Sequence, residues 1–291
     1  MKWGIIGYGS IGKRHTDNIR ALKDEVVVLT KNSDCPFPIV NSIEELLSSQ
    51  PEIVFICNET ALHEVSYREI RNLKKDLPLL IEKPVFDKKY NFPADPFSFV
   101  AYCLRFHPLV IELKERIKNA EILSANFYVG QYLPTWREGR DYRTTYSAKK
   151  ELGGGVLRDL SHELDLAYYL LGDLSLEFCK TKKISDLEIS SDDYFSGFFS
   201  AKKCENVNIE MNYLDHIIQR HIVINTNTAT FKVDFIRGEI ITNKDTRNLI
   251  FDRNEMYLTM LKNMKEKNYK DFSSFEDGMK ILDIIAEAES K

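Results

Sequence analysis

Three short clusters in the chain carry residues able to do chemistry. Gly7-Tyr8-Gly9-Ser10-Ile11-Gly12 is a G-x-G-x-x-G pattern that directly follows the apolar run Lys2–Ile6 and opens the helical spacing of Ile11–Leu22. In that context Gly7 permits a tight turn and Gly9 lets the backbone approach a pyrophosphate. Gly12 lets the helix pack on the strand, and the Ser10, Ile11 and Gly12 amides start a helix whose free N–H groups attract anions. Ile81-Glu82-Lys83-Pro84 closes another apolar run, and a lysine at the carboxyl end of a parallel strand faces the crevice where ligands bind. Gly153-Gly154-Gly155 leads into a segment with the spacing of one helix, Val156–Leu171, which carries Asp159, His162 and Asp165. Asp159 and His162 are three apart and would share a helix face. Histidine titrates near neutrality and can take a hydroxyl proton, while a carboxylate one turn away can orient it or bind a substrate hydroxyl. A dipole-complementing acid with a packed histidine is the plainer alternative.

A fourth cluster concerns recognition. Between Tyr128 and Tyr146 lie Arg137, Arg140 and Arg143, four tyrosines including Tyr142, and Trp136. Guanidinium forks bind carboxylate or phosphate, and aromatic faces stack on sugar rings. The segment therefore points to an anionic, sugar-like small molecule, with a subunit interface as the competing reading. The second strand ends Leu29-Thr30-Lys31-Asn32, with no carboxylate before Asp34 to receive a ribose 2′-hydroxyl. Thr30 and Lys31 suit a 2′-phosphate better, so NADP(H) is favoured over NAD(H), unless Lys31 is only a solvated loop charge.

These residues need a scaffold. Buried-strand runs at Lys2–Ile6, Glu25–Thr30, Ile53–Cys57 and Leu79–Ile81 alternate with helical segments at Ile11–Leu22, after Ser42, and at Thr60–Lys74. Leu62, Val65, Ile70 and Leu73 would face the core. Such strand–helix repeats imply a parallel sheet with right-handed crossovers. Beyond about residue 100 the texture changes. Helices at Pro108–Lys118 and Val156–Leu171 accompany alternating strands at Leu123–Tyr128, Tyr194–Ala201, Val207–Tyr213, His221–Thr226 and Thr230–Phe235, and a helix spans Ser274–Glu287. The expectation is an α/β chain of two domains, 1–100 and 101–291, the second with a large, mostly antiparallel open sheet. Its C-terminal helix could pack back on the first domain. Only a short, proline-containing stretch links Pro84 to Ala101, so no full helix is expected across Asp87–Phe99.

Composition narrows the rest. The 291 residues are 43% hydrophobic and 29% charged, with net charge −4, enough for a real core and without the basic footprint of a nucleic-acid binder. No apolar run suits a membrane span or a signal peptide. Five scattered cysteines without C-x-x-C indicate neither zinc nor disulfides, and no cluster has metal-ligand spacing, so no metal and a cytoplasmic location are expected. His15 reads as packed or solvated, Arg105 and His107 read equally as structural or as substrate contacts, and His63 is undecided.

The combination resembles the Gfo/Idh/MocA oxidoreductases, the family of glucose–fructose oxidoreductase and inositol 2-dehydrogenase. The likeness rests on G-x-G-x-x-G, on Cys57-Asn58-Glu59-Thr60-Ala61-Leu62-His63, on Glu82-Lys83-Pro84, on Arg105-Phe106-His107-Pro108, and on Gly153-Gly154-Gly155 with Asp159, His162 and Asp165. It implies a Rossmann domain followed by an α/β domain whose sheet builds homodimers or homotetramers. It also implies hydride exchange between nicotinamide and a hydroxyl or keto carbon of a sugar or sugar acid. The cofactor positions would be Gly7, Gly9, Ser10, Ile11, Gly12, Thr30, Lys31, Asn58, Glu82 and Lys83. Lys83 and His162 would be catalytic, supported by Asp159. Arg105, Trp136, Arg137, Arg140, Tyr142, Arg143 and Asp165 would meet substrate. The arginine–tyrosine segment looks like the branch found beside acidic-sugar and surface-polysaccharide pathways. The family usually places its aspartate four residues before the histidine; here the spacing is three, which leaves Asp165 as a rival. Some relatives bind cofactor without chemistry, so a non-catalytic sensor is the alternative.

Overall fold

The computed structural model describes residues 1–137 and 139–291; Glu138, inside the arginine–tyrosine segment, lies outside the described residues. The chain forms two compact units: residues 1–106 with 254–282, and residues 107–253 with 283–291. Residues 254–282, expected in the second domain, instead return to the first unit.

The first unit opens with β1 (Lys2–Ile6), α1 (Ser10–Ala21), β2 (Glu25–Leu29), β3 (Ile39–Val40), α2 (Ile43–Ser48), β4 (Ile53–Ile56), α3 (Thr60–Leu73), β5 (Leu79–Ile81) and β6 (Ser98–Val100). The second contains α4 (Pro108–Arg116), β7 (Ile122–Gly130), α5 (Val156–Asp159), α6 (His162–Leu171), β8 (Leu174–Lys182), β9 (Tyr194–Ala201), β10 (Cys204–Asn212), β11 (Gln219–Thr226), β12 (Thr230–Asp234), β13 (Glu239–Thr242) and β14 (Thr246–Asn248). The returning segment adds α7 (Glu255–Lys265) and β15 (Ser273–Ser274), and α8 (Phe275–Ser290) ends the chain.

In the first unit the strands run in the order β15-β6-β5-β4-β1-β2-β3, parallel from β6 to β3, with β15 antiparallel at the edge. Continuous apolar strands are what a sheet covered on both faces requires, and Ile5, Val28, Val54, Phe55 and Leu80 have no exposure. Register fixes the site: Ile6 pairs with Ile56 and Ile56 with Ile81, so Gly7, Asn58 and Glu82 emerge in a row from the carboxyl edge. The reversal of strand order at β1 puts that row at the topological switch point, where open α/β sheets bind ligands.

One detail of this unit departs from the sequence pattern. Leu62, Val65 and Leu73 are exposed, and α3 turns His63, Ser66, Tyr67 and Ile70 inward instead. The reason is a partly polar core. Tyr67 stacks on Phe275 at 5.0 Å and donates to Asp95 Oδ2 at 2.9 Å, where Arg71 Nε also bonds at 2.6 Å. Asp95 thereby pins the stretch 87–97, which carries no helix.

The second unit is an eight-stranded sheet in the order β14-β13-β12-β11-β7-β10-β9-β8, antiparallel except for the β7–β10 pair. Its inner face presents Phe127, Phe195, Phe199, Ile209, Met211 and Ile224, all fully buried, with α6 against β7, β8 and β10. The expected helix Val156–Leu171 is broken. Leu160 (φ −102°, ψ 20°) ends α5, and α6 starts at His162. Asp159 and His162 therefore flank a turn instead of sharing one helix face. Among the elements that the sequence pattern left unmarked, β8 forms one sheet edge, β13 and β14 the other, and α7 opens the returning segment.

Candidate functional site

The glycine turn of the first unit has the form a dinucleotide needs. Gly7 has φ +96°, and a Cβ there would lie 2.6 Å from the Asn58 backbone; one on Gly12 would lie 2.3 Å from Gly7 O. Both glycines are therefore required by the turn itself. Gly9 differs: a Cβ would meet nothing within 4 Å. Gly9 is also the N-cap of α1, whose first amides receive no side-chain cap. Open space above a backbone that carries helix-start N–H groups fits an anionic pyrophosphate. Thr30 and Lys31 follow β2, Lys31 exposed and Thr30 half-buried. Thr30 Oγ1 accepts the Asn32 amide at 3.1 Å, so its hydroxyl also shapes the turn.

At the ends of β4 and β5, polar contacts fix the crevice. His63 is 1% exposed, with Nδ1 3.1 Å from Val85 O and Nε2 3.1 Å from Asn58 O. Burial lowers its pKa, so the ring clamps two loops and is no acid–base candidate. Asn58 Nδ2 donates to Ser66 Oγ at 3.0 Å. Glu82 Oε2 accepts the Lys83 backbone N–H at 3.2 Å, and Glu82 Oε1 lies 2.8 Å from His15 Nε2. Lys83 is half-buried and precedes a cis peptide to Pro84. Burial and the Glu82 carboxylate push the Cys57 thiol up, keeping it an inert filler. Arg105 is a correction. Its guanidinium is 2% exposed and donates to Phe272 O (2.9 Å) and Asp277 Oδ2 (3.3 Å), anchoring the returning segment instead of facing a substrate.

In the second unit Asp159 is 6% exposed, and its Oδ2 accepts the Tyr213 hydroxyl at 2.6 Å. Tyr146 bonds the same carboxylate, and desolvation together with the Asp159 charge holds both phenols well above their ordinary pKa. Trp136 meets the Tyr213 ring edge-on at 5.0 Å, and Arg137 lies over the Tyr146 ring. Two tyrosines thus join the recognition segment to Asp159. The sequence marked Tyr146 only as part of a cluster and missed Tyr213, whose one signal is its place at the end of a strand.

His162 is half-buried and Asp165 fully buried. Between them Glu163, 2% exposed, forms a two-pronged pair with Arg220 at 2.7 and 2.9 Å, which anchors the first turn of α6. Asp192 accepts the Leu157 amide at 3.1 Å, and a Cβ on Gly155 (φ +133°) would lie 2.2 Å from its Oδ1. Burial raises the Asp192 pKa to about 6. His107 caps α4 by accepting the Leu109 amide at Nδ1, and burial with the Arg220 charge lowers its pKa to about 4.

The arginines divide. Arg143 is held by Asp141 (2.9 Å) and Glu188 (3.3 Å), so its charge is already answered by protein carboxylates. Arg137 and Arg140 line a shallow crease with Trp136, Tyr142 and Ser147. Tyr142 also accepts the Glu188 amide. Among the described residues no group of His, Cys, Asp and Glu could hold a metal ion, and no helix is long and apolar enough to cross a membrane.

No protein-family model matches the chain. An uncharacterized oxidoreductase of Bacillus subtilis (strain 168), YrbE, is 27% identical over 188 residues, 58% of this chain and 53% of that protein. The match thus spans about half the length of the curated relative. Among solved structures, levoglucosan dehydrogenase in complex with NADH and levoglucosan superposes with a TM-score of 0.82 at 17% identity, covering 100% of this chain and 97% of that one. A myo-inositol dehydrogenase from Corynebacterium glutamicum ATCC 13032 gives 0.77 at 17% identity, covering 100% and 96%. These likenesses show the fold: a parallel-sheet Rossmann-type unit followed by one with a mostly antiparallel sheet.

Proposed function

We propose that this chain is a nicotinamide-dependent dehydrogenase of Gfo/Idh/MocA type, acting on a CH–OH carbon of a sugar or sugar-acid derivative. The observation that carries the reading is the carboxyl edge of the first sheet. There Gly7, Asn58 and Glu82 emerge in a row, and Gly9, at the N-terminus of α1, has open space above it. Similarity to sugar dehydrogenases that bind NADH and levoglucosan supports it.

When bound, the nicotinamide supplies the hydride acceptor or donor. The chain supplies the rest. The amides of Ser10, Ile11 and Gly12 receive the pyrophosphate, and Gly9 admits it. Lys83, through its ammonium, polarises the substrate oxygen. His162 takes the hydroxyl proton in oxidation and returns it in reduction. Asp159, fixed by Tyr213 and Tyr146, is a positioning group, while Asp165 is too buried to be first choice for substrate contact. Lys31, with no carboxylate from Leu29 to Ser33, supports NADP(H) over NAD(H). Arg137 and Arg140 beside Trp136 favour an anionic sugar, such as those of surface-polysaccharide pathways. The outer sheet face, where exposed Phe178 and Phe198 stack at 5.2 Å, supports a homodimer or homotetramer. Free, mostly buried cysteines fit a reducing cytoplasm.

The test is absorbance at 340 nm with NADP+ or NAD+ and a panel of sugars, inositols and sugar acids. Turnover that disappears in Lys83→Ala supports the reading. Tight cofactor binding with no turnover on any member, and a partner protein retained instead, would establish the sensor.

A further inference from the structure

His15 stands three residues beyond the last glycine of the turn, on the inner side of α1, with no exposure. Its ring lies against Phe55 with centroids 4.2 Å apart, and Tyr257 meets it edge-on at 5.7 Å. Both of these aromatic neighbours would suit an apolar side chain equally well. A histidine there is costly, because its Nδ1 finds no hydrogen-bond partner among the described residues. What the histidine adds is one polar contact, Nε2 to Glu82 Oε1 at 2.8 Å. The other carboxylate oxygen of Glu82 accepts the backbone N–H of Lys83 at 3.2 Å. The Glu82 amide is itself tied to Ile56 O across β4 and β5.

We propose that His15, acting through Glu82, is a positioning residue for Lys83. It holds the Glu82 carboxylate in the orientation that receives the Lys83 amide, and so sets the direction in which Lys83 leaves β5. The same pair registers Lys83 against the phosphate cradle, because His15 rides on the helix whose first turn forms that cradle. A lysine misplaced by about 1 Å loses on the order of 100-fold in rate while the pyrophosphate contacts stay intact. The proposal rests on the reading of Lys83 as the group that polarises the reacting oxygen.

Two substitutions separate positioning from packing. His15→Gln keeps a donor at the reach of Nε2; His15→Leu keeps the volume and removes the donor. Positioning predicts that His15→Leu lowers kcat roughly 10- to 100-fold with cofactor Kd and substrate KM changed by less than about threefold, and that His15→Gln stays within about fivefold of the parent. A packing role predicts the reverse order, with leucine the better residue, and that order would overturn the proposal. If His15→Leu does not fold, His15→Asn, too short to reach Glu82, takes its place with the same expected loss. A second readout needs no turnover. The pH dependence of Lys83 acylation by acetic anhydride, followed by peptide mass spectrometry, shifts in His15→Leu and not in His15→Gln. Identical profiles in all three proteins would overturn the proposal. Failure of the parent enzyme to turn over any alcohol would remove the role given to Lys83, and the acylation profiles would still decide whether His15 sets its environment.

Discussion

Gly9→Ala is the substitution that separates a glycine turn made for folding from one made for a ligand. Gly9 has φ −79° and ψ −165°, a conformation open to alanine, and the added methyl would meet no protein atom within 4 Å. Restricting the unfolded chain favours alanine by about 0.4–1 kcal/mol, and its poorer N-capping costs a similar amount. Stability should therefore change by less than about 1 kcal/mol, or roughly 2–4 °C in Tm for a unit of this size. The methyl does occupy the space assigned to the pyrophosphate. Moving that group off the helix-start amides should weaken dinucleotide binding roughly 10- to 100-fold, about 1.4–2.8 kcal/mol. Gly12→Ala supplies the contrast, because its Cβ would sit 2.3 Å from Gly7 O and the turn would have to open. That overpacking costs roughly 1–3 kcal/mol and lowers Tm even without cofactor. Thermal melts alone and a fluorescence titration with reduced cofactor read both effects. A Gly9→Ala protein with parental Tm and parental cofactor affinity would refute the assignment of that space to a ligand.

Three other outcomes follow from the geometry. Asp192, with its pKa raised from 3.8 to about 6, adds stability that is fully present below about pH 4 and is lost as pH rises through 6. Asp192→Asn should thus match the parent near pH 4 and exceed it at pH 8 by on the order of 2–3 kcal/mol; parallel Tm-against-pH curves would exclude this. Arg220→Ala leaves the buried Glu163 carboxylate unpaired and should cost about 3 kcal/mol, a fall of roughly 6–12 °C by calorimetry. Lys31→Glu should move the NADP-to-NAD affinity ratio toward NAD by roughly tenfold in paired titrations, and an unchanged ratio would show Lys31 to be a solvated loop charge.

The carboxyl edge of the first sheet was legible because its signals are local. Apolar runs too short for helices end in Gly7, Asn58 and Glu82-Lys83, and parallel register alone lines them up. What escaped the sequence depends on partners far along the chain. The inward face of α3 is set by Asp95 and Phe275, so Tyr67 and His63 point in while Leu62 and Val65 point out. Arg105 reads in the sequence equally as structural or as a substrate contact, and its bond to Phe272 O in the returning residues 254–282 is what favours the structural role. The break at Leu160–Ser161 has no Pro or Gly to announce it. It separates two anchored groups: Asp159, tied to Tyr213 at the end of β10, and Glu163, tied to Arg220 on β11.

A crystal structure with reduced nicotinamide dinucleotide bound tests the central claim most directly. The predicted result is pyrophosphate oxygens on the amides at the start of α1, over Gly9, with nicotinamide C4 on the Lys83 side of the crevice, so that a substrate oxygen beside C4 can reach Lys83 Nζ. A dinucleotide bound elsewhere, or one whose nicotinamide lies away from Lys83, would contradict it.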